Sequence, residues 1–141
     1  MSQQTLRTTL EQGRAAFAFE CAQKGMQTKG INETYEPQTT RLPTLIKTNG
    51  LGAAIAFFAS NKPVHKHICL DILSWLQQSP VNAVVDMSQI KDVMGFAEKI
   101  TQLDTADYKT LTIEVLAFLT WLRRFAKGLD KQKDNERKNK A

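Results

Sequence analysis

The chain has 141 residues, 42% hydrophobic and 23% charged, which fits one soluble globular domain built on a single core. No apolar run reaches the roughly 18 to 20 residues that span a membrane. The opening Met1-Ser2-Gln3-Gln4-Thr5-Leu6 lacks the basic-then-apolar layout of a signal peptide, so a cytoplasmic location is expected. The net charge of +5 lies at the C-terminal end: residues 123–141 hold eight basic and three acidic residues, whereas residues 1–122 hold eleven of each.

Helix periodicity dominates the chain. Leu6, Leu10, Arg14, Phe17 and Cys21 recur at steps of three and four, predicting a first amphipathic helix of about six turns. Gly25 to Pro37, with Gly30 and Asn32, reads as a loop. Tyr35 in that loop is a candidate anchor, either for the loop or for a partner. Leu42, Leu45 and Ile46 then share one helical face, and the helix is expected to stop at Asn49-Gly50, because glycine accepts the positive φ that closes helices. From Leu51 to Ala59 every residue is apolar or glycine, so a second, closely packed helix is expected to be buried. Pro43, Asn49, Gly50 and Gly52 are expected to set the geometry of this hinge. The window from Pro37 to Leu70 contains no Asp or Glu, leaving Arg41, Lys47, Lys62 and Lys66 unopposed.

Pro63 suits the first turn of a further helix, which presents Val64, Ile68, Asp71, Ile72, Trp75 and Leu76 and ends at Ser79-Pro80. Val81 to Val85 is the one strand-like run and reads as a connector into a helix capped by Asp86 or Ser88, with Ile90, Val93, Met94, Ala97 and Ile100 on one side. Asp104 or Thr105 caps the last helix, with Asp107 in its first turn. There Tyr108, Leu111, Val115, Phe118, Leu122, Phe125 and Leu129 form a continuous stripe, and Arg123, Arg124, Lys127 and Lys131 fall opposite it. Asp130 to Ala141 has no apolar stripe and is expected to be disordered. The fold class is therefore all-α: a compact single-domain bundle of about six helices with a long amphipathic C-terminal helix, divided into a 1–129 helical domain and a 130–141 tail.

Catalytic chemistry has little support. His65 and His67 stand two apart, so a helix points them in different directions and they cannot share one ion. Gly50-Leu51-Gly52 has no preceding strand and is not a dinucleotide loop. Asp86, Asp92, Glu98, Asp104 and Asp107 could be grouped as a metal-dependent nuclease site, but fit helix caps and solvated faces more economically. Cys21 and Cys69 lie on apolar stretches and read as buried, reduced thiols. Trp75 and Trp121 fall within apolar stripes and read as core. No catalytic residue, metal or cofactor is expected.

Three features together carry a family resemblance: Tyr35, the Leu42-Pro43-x-x-Ile46-x-x-Asn49-Gly50-Leu51-Gly52 unit running into Ala56-Phe57, and the Tyr108…Trp121-Leu122-Arg123-Arg124-Phe125-Ala126 helix. In this order, with Arg14 ahead of an alanine-rich run, the chain resembles the small subunit of Cmr-type (type III-B) CRISPR effector complexes over residues 6–128. The resemblance implies a non-catalytic RNA-binding scaffold in antiviral defence. Copies of it would stack along a crRNA-bearing ribonucleoprotein, with other Cmr effector subunits, neighbouring copies of itself and the crRNA/target RNA backbone as partners. No membrane and no small-molecule substrate is implied. Arg41, Lys47, Arg123, Arg124 and Lys127 are the expected phosphate contacts, with Arg14, Lys62 and Lys66 as weaker ones. The acidic stretch 86–114 would suit docking against a neighbour's basic face. The competing expectation is a free-standing cytoplasmic helical adaptor whose basic tail only keeps it soluble.

Overall fold

The computed structural model describes residues 2–140. Six α-helices follow in order: α1 (Gln3–Gln27), α2 (Tyr35–Asn49), α3 (Leu51–Ala59), α4 (Pro63–Gln78), α5 (Val93–Thr101) and α6 (Thr105–Lys140), with a 3-10 turn at Pro80–Ala83. No strand occurs among the described residues, and none of these helices is long and apolar enough to cross a membrane.

The core grows from the α1–α6 pair, which run parallel, as the matching of Arg14 with Glu114, Phe17 with Phe118 and Phe19 with Phe125 shows. Helix α4 passes antiparallel to α1, bringing Trp75 against both Phe17 (6.0 Å between ring centroids) and Phe118 (6.1 Å, nearly parallel planes). Each such aromatic pair adds about 0.5–1.5 kcal/mol beyond the area it buries. Leu111, Val115, Phe118 and Leu122 are fully buried, as their stripe predicts.

The hinge forms where the sequence places it. Gly50 has φ +91° and ψ 159°, a region essentially reserved for glycine, and its N–H donates to the Ile46 carbonyl at 2.8 Å. The next turn is tied to α6, because Gly52 N–H donates to Tyr108 Oη at 2.9 Å. Pro43 lies inside α2, away from this joint.

Several expectations need correction. The 25–37 loop shrinks to residues 28–34, because α1 runs through Gly25 to Gln27 and Tyr35 already opens α2. Tyr35 is an internal anchor: its ring is fully buried against Gly25 and its hydroxyl donates to the Cys21 carbonyl at 3.3 Å. The helix expected from Asp86 or Ser88 starts only at Val93, capped by Asp92, whose Oδ1 accepts Gly95 N–H at 2.7 Å. Upstream, Asn82 Oδ1 accepts Met87 N–H and Asp86 Oδ1 accepts Ser88 N–H, and these side-chain turns hold the backbone out of helix. Helix α3 buries Leu51, Ala54, Ile55, Phe58 and Ala59 but leaves Ala53, Ala56 and Phe57 in solvent. Along α1, burial begins near Leu10, and Leu6 is exposed.

The segment expected to be a disordered tail is helical to Lys140, so α6 crosses the expected 129/130 boundary unbroken and spans about 54 Å at 1.5 Å per residue. Past Gly128 it holds no Gly or Pro, and its four lysines, with Gln132, Glu136 and Arg137, favour helix. Asp134 and Lys138, like Glu136 and Lys140, stand four apart with the acid first, the favourable order. Met1 and Ala141, the outer ends of the two expected segments, lie outside the described residues.

One buried acid has a measurable consequence. Asp71 on α4 is enclosed by Cys21 and Lys24 of α1, Tyr35 of α2 and His67 of its own helix, whose Nε2 stands 3.5 Å from Oδ2. Burial pushes its carboxyl up to about 7, and Cys21, Lys24 and Tyr35 offset this only in part. The folded state therefore holds a proton that the unfolded chain has already released. This contribution is full below the ordinary aspartate range, falls as pH rises toward 7 and is absent above. Burial lowers the pKa of His65 and His67, which act with the opposite sign as pH falls through the ordinary histidine range. Asp71→Asn is expected to remove the loss of stability between about pH 4 and 7 while leaving the histidine contribution. Urea unfolding at several pH values reads this directly, and an unchanged pH profile would show that Asp71 is not the group responsible.

Candidate nucleic-acid interface

Arg14 is not a surface cation. Its Nε donates to Glu114 Oε2 at 2.7 Å and its Nη2 to Oε1 at 3.0 Å, while Trp75 Nε1–H donates to the same Oε2 at 3.1 Å. Only 13% of the Arg14 side chain and 10% of the Glu114 side chain reach solvent. Arg14 thus neutralises a buried acid, and Glu114 is removed from any acidic docking face. Both residues sit on the buried sides of their helices, between Leu10 and Phe17 and between Leu111 and Phe118. Opposite charges on two apolar stripes are the signal that sequence reasoning could have used.

The other expected contacts are exposed, and none makes an ion pair among the described residues. They form two groups. On α6, Arg124 and Lys127 lie opposite the buried stripe while Arg123 is exposed on its flank, Arg124 stands over the Trp121 ring at 5.9 Å, and Lys131 prolongs the row. The second group joins α2, α3 and α4. The Arg41 guanidinium lies 5.2 Å from the centroid of the Phe57 ring, and Arg41 and Lys62 both help to lower the pKa of His65, after burial.

His65 itself is buried. It stacks on Phe58 with 4.1 Å between centroids, and its Nε2 stands 2.8 Å from Gln38 Oε1, which makes Nε2 the protonated nitrogen of a neutral ring. His67 turns instead toward Asp71, so the two histidines diverge as their spacing predicts. Lys47 and Lys66 stay apart from both groups. Lys47 lies about 120° around α2 from Arg41 at 100° per residue, and Lys66 lines a hollow with Leu70 and Met94. The part of this surface that sequence reasoning missed is Phe57, assigned to a buried helix but 40% exposed beside a cation.

Across α3 from Phe57 lies a trough of about 530 Å³, floored by Gly52, Ala56, Met94 and Ala97 and edged by Asp92 and Glu98. Asp92 and Asp104 cap α5 and α6, so much of the acidity of 86–107 serves helix ends. Both cysteines are buried and unpaired, and burial raises both thiols, Cys69 to about 12.

Comparison with known proteins places this architecture. The profile of the family described as CRISPR-associated protein (Cas_Cmr5) matches residues 10–129. The CRISPR system Cmr subunit Cmr5 of Thermus thermophilus is 30% identical over 122 residues, covering 86% of this chain and 96% of that protein. The X-ray crystal structure of a CRISPR-associated Cmr5 family protein from Thermus thermophilus superposes with a TM-score of 0.68 at 29% identity, over 84% of this chain and 96% of that one. The matched region ends at Leu129, so the last turns of α6 extend beyond it. The chain belongs to the Cas_Cmr5 family, the Cmr-type CRISPR small subunits that its sequence resembles.

Proposed function

We propose that this Cmr subunit is a non-catalytic structural component that helps hold target RNA along the crRNA-bearing assembly in antiviral defence. The observation that supports this is the set of exposed, unpaired cations Arg41, Lys47, Arg123, Arg124 and Lys127, carried on a rigid helical frame. Cations left without carboxylate partners are free to replace counterions on a phosphate backbone, which supplies affinity without reading sequence. Guide–target pairing would do the reading. Lys62 joins this set beside Arg41, Lys66 remains a weaker member, and Arg14 leaves it.

The acid-edged trough between α3 and α5 suits protein contacts. We assign it to other Cmr subunits or to a neighbouring copy, because Met94 and Ala56 offer apolar area while Glu98 faces solvent beside them. A cytoplasmic location follows from this role.

The test is RNA binding by the purified full chain across a salt series. Replacing Arg123, Arg124 and Lys127 together by alanine is expected to lower the log–log salt slope by about 2, at roughly 0.7 for each cation removed from a single strand. An unchanged slope would remove these residues from the interface. If the wild-type chain itself shows no affinity for RNA even at low salt, the adaptor reading takes its place.

A further inference from the structure

We infer that Phe57 and Arg41 form a platform on which one unpaired base of single-stranded RNA stacks, with Lys62 holding an adjoining phosphate. This rests on the RNA-binding reading above and adds to it a contact that is not electrostatic.

The geometry starts from an asymmetry between two neighbours on α3. Phe58 is fully buried, whereas Phe57 keeps 40% of its surface in water. The Arg41 guanidinium stands 5.2 Å from the Phe57 centroid, so a flat cation and a flat ring are already brought together at the surface. A guanidinium is flat, so Arg41 beside the ring is able to stack on a base as well as to supply charge.

The floor beneath the pair is fixed. His65 lies 6.1 Å from Phe57 and 4.1 Å from Phe58, and its bond to Gln38 ties α4 to α2. A neutral His65 adds no charge of its own, so the positive potential comes from Arg41 and Lys62.

Charge also selects the occupant. The platform residues Arg41, Phe57 and Lys62 all lie within the 37–70 window that holds no Asp or Glu. The acid just before the window, Glu36, accepts a hydrogen bond from the Thr40 hydroxyl at 3.4 Å. A partly exposed aromatic ring beside cations is what single strands need, the ring for a base and the cations for phosphates. A protein partner is better served on the other side of α3, where the trough is lined by Gly52, Ala56 and Met94 and not by Phe57 or Arg41.

The experiment uses the purified full chain and a single-stranded oligoribonucleotide containing one fluorescent base, titrated over a salt series. Phe57→Ala is expected to weaken binding about tenfold, within the range for one stacked base, with the salt slope unchanged and the fluorescent base no longer quenched. Phe57→Tyr should restore both signals, since it returns a ring. Arg41→Lys keeps the charge, so affinity should fall without a change in slope, whereas Lys62→Ala should lower the slope by about 0.7. Wild-type affinity and quenching in Phe57→Ala would overturn the inference while leaving the wider RNA reading intact. So would a Phe57→Ala chain that binds RNA normally but no longer joins other Cmr subunits, because the ring would then be a protein contact. Absence of RNA binding by the wild-type chain would remove the wider reading and this inference together.

Discussion

Glu114→Ala is expected to cost about 3 kcal/mol of stability, toward the lower end for breaking a buried ion pair because both side chains keep about a tenth of their exposure. The destabilisation arises on the partner. Without Glu114 the Arg14 guanidinium stays trapped between α1, α4 and α6 with no carboxylate, and the Trp75 indole N–H has no acceptor. For a domain of this size the midpoint of thermal unfolding should fall by about 10 °C. The double replacement Arg14→Met with Glu114→Leu should recover part of that stability, since it removes both charges and keeps the volume, while the Trp75 N–H still lacks its acceptor. Calorimetry on the three proteins checks this. A Glu114→Ala chain that melts with the wild type would mean that the pair contributes nothing.

The second large effect is a sign reversal within one helix. An exchange of glycine for alanine inside a helix normally stabilises by about 0.8–1 kcal/mol. At Gly13, where an added methyl would sit 3.8 Å from the Trp75 ring in ordinary contact, that gain is expected. At Gly25 the methyl would run into the ring of Tyr35, which is fully buried and cannot move aside. Gly25→Ala should therefore destabilise by about 2–3 kcal/mol through overpacking. Adding Tyr35→Leu should relieve part of that penalty, since it removes the ring atoms that the methyl meets. Urea unfolding of Gly13→Ala and Gly25→Ala shows the difference in sign. Equal stabilisation at both positions would contradict the packing described for α1 and α2.

What is legible in the sequence is whatever a single helix decides for itself. The stripe through Leu111, Val115, Phe118 and Leu122 is set by local periodicity, as is the break at Gly50, and both stand in the structure. Pro63 opens α4 for a reason that needs only its missing N–H. What stays hidden depends on packing between distant segments. Arg14 reads as a surface cation because Glu114 lies 100 positions away. Tyr35 and Gly25 read as loop residues because each makes sense only in the presence of the other.

The 130–140 segment has a different lesson. Lack of an apolar stripe removes a packing partner but does not remove helix propensity, and α6 simply continues. Phe57 is hidden by its company, since an all-apolar run reads as buried until the position of α5 shows which side of α3 is covered.

Whether this Cmr subunit helps hold target RNA is decided on the reconstituted assembly. Target-RNA binding is measured over a salt series for ribonucleoprotein reconstituted with the wild-type subunit, or with one in which Arg41, Lys47, Arg123, Arg124 and Lys127 are alanine. These residues are exposed and unpaired, so the variant should still fold and incorporate. Weaker target binding and a log–log slope reduced by about 0.7 for each phosphate no longer neutralised are expected. Full incorporation of the variant with the affinity and salt slope of the wild type would contradict this role.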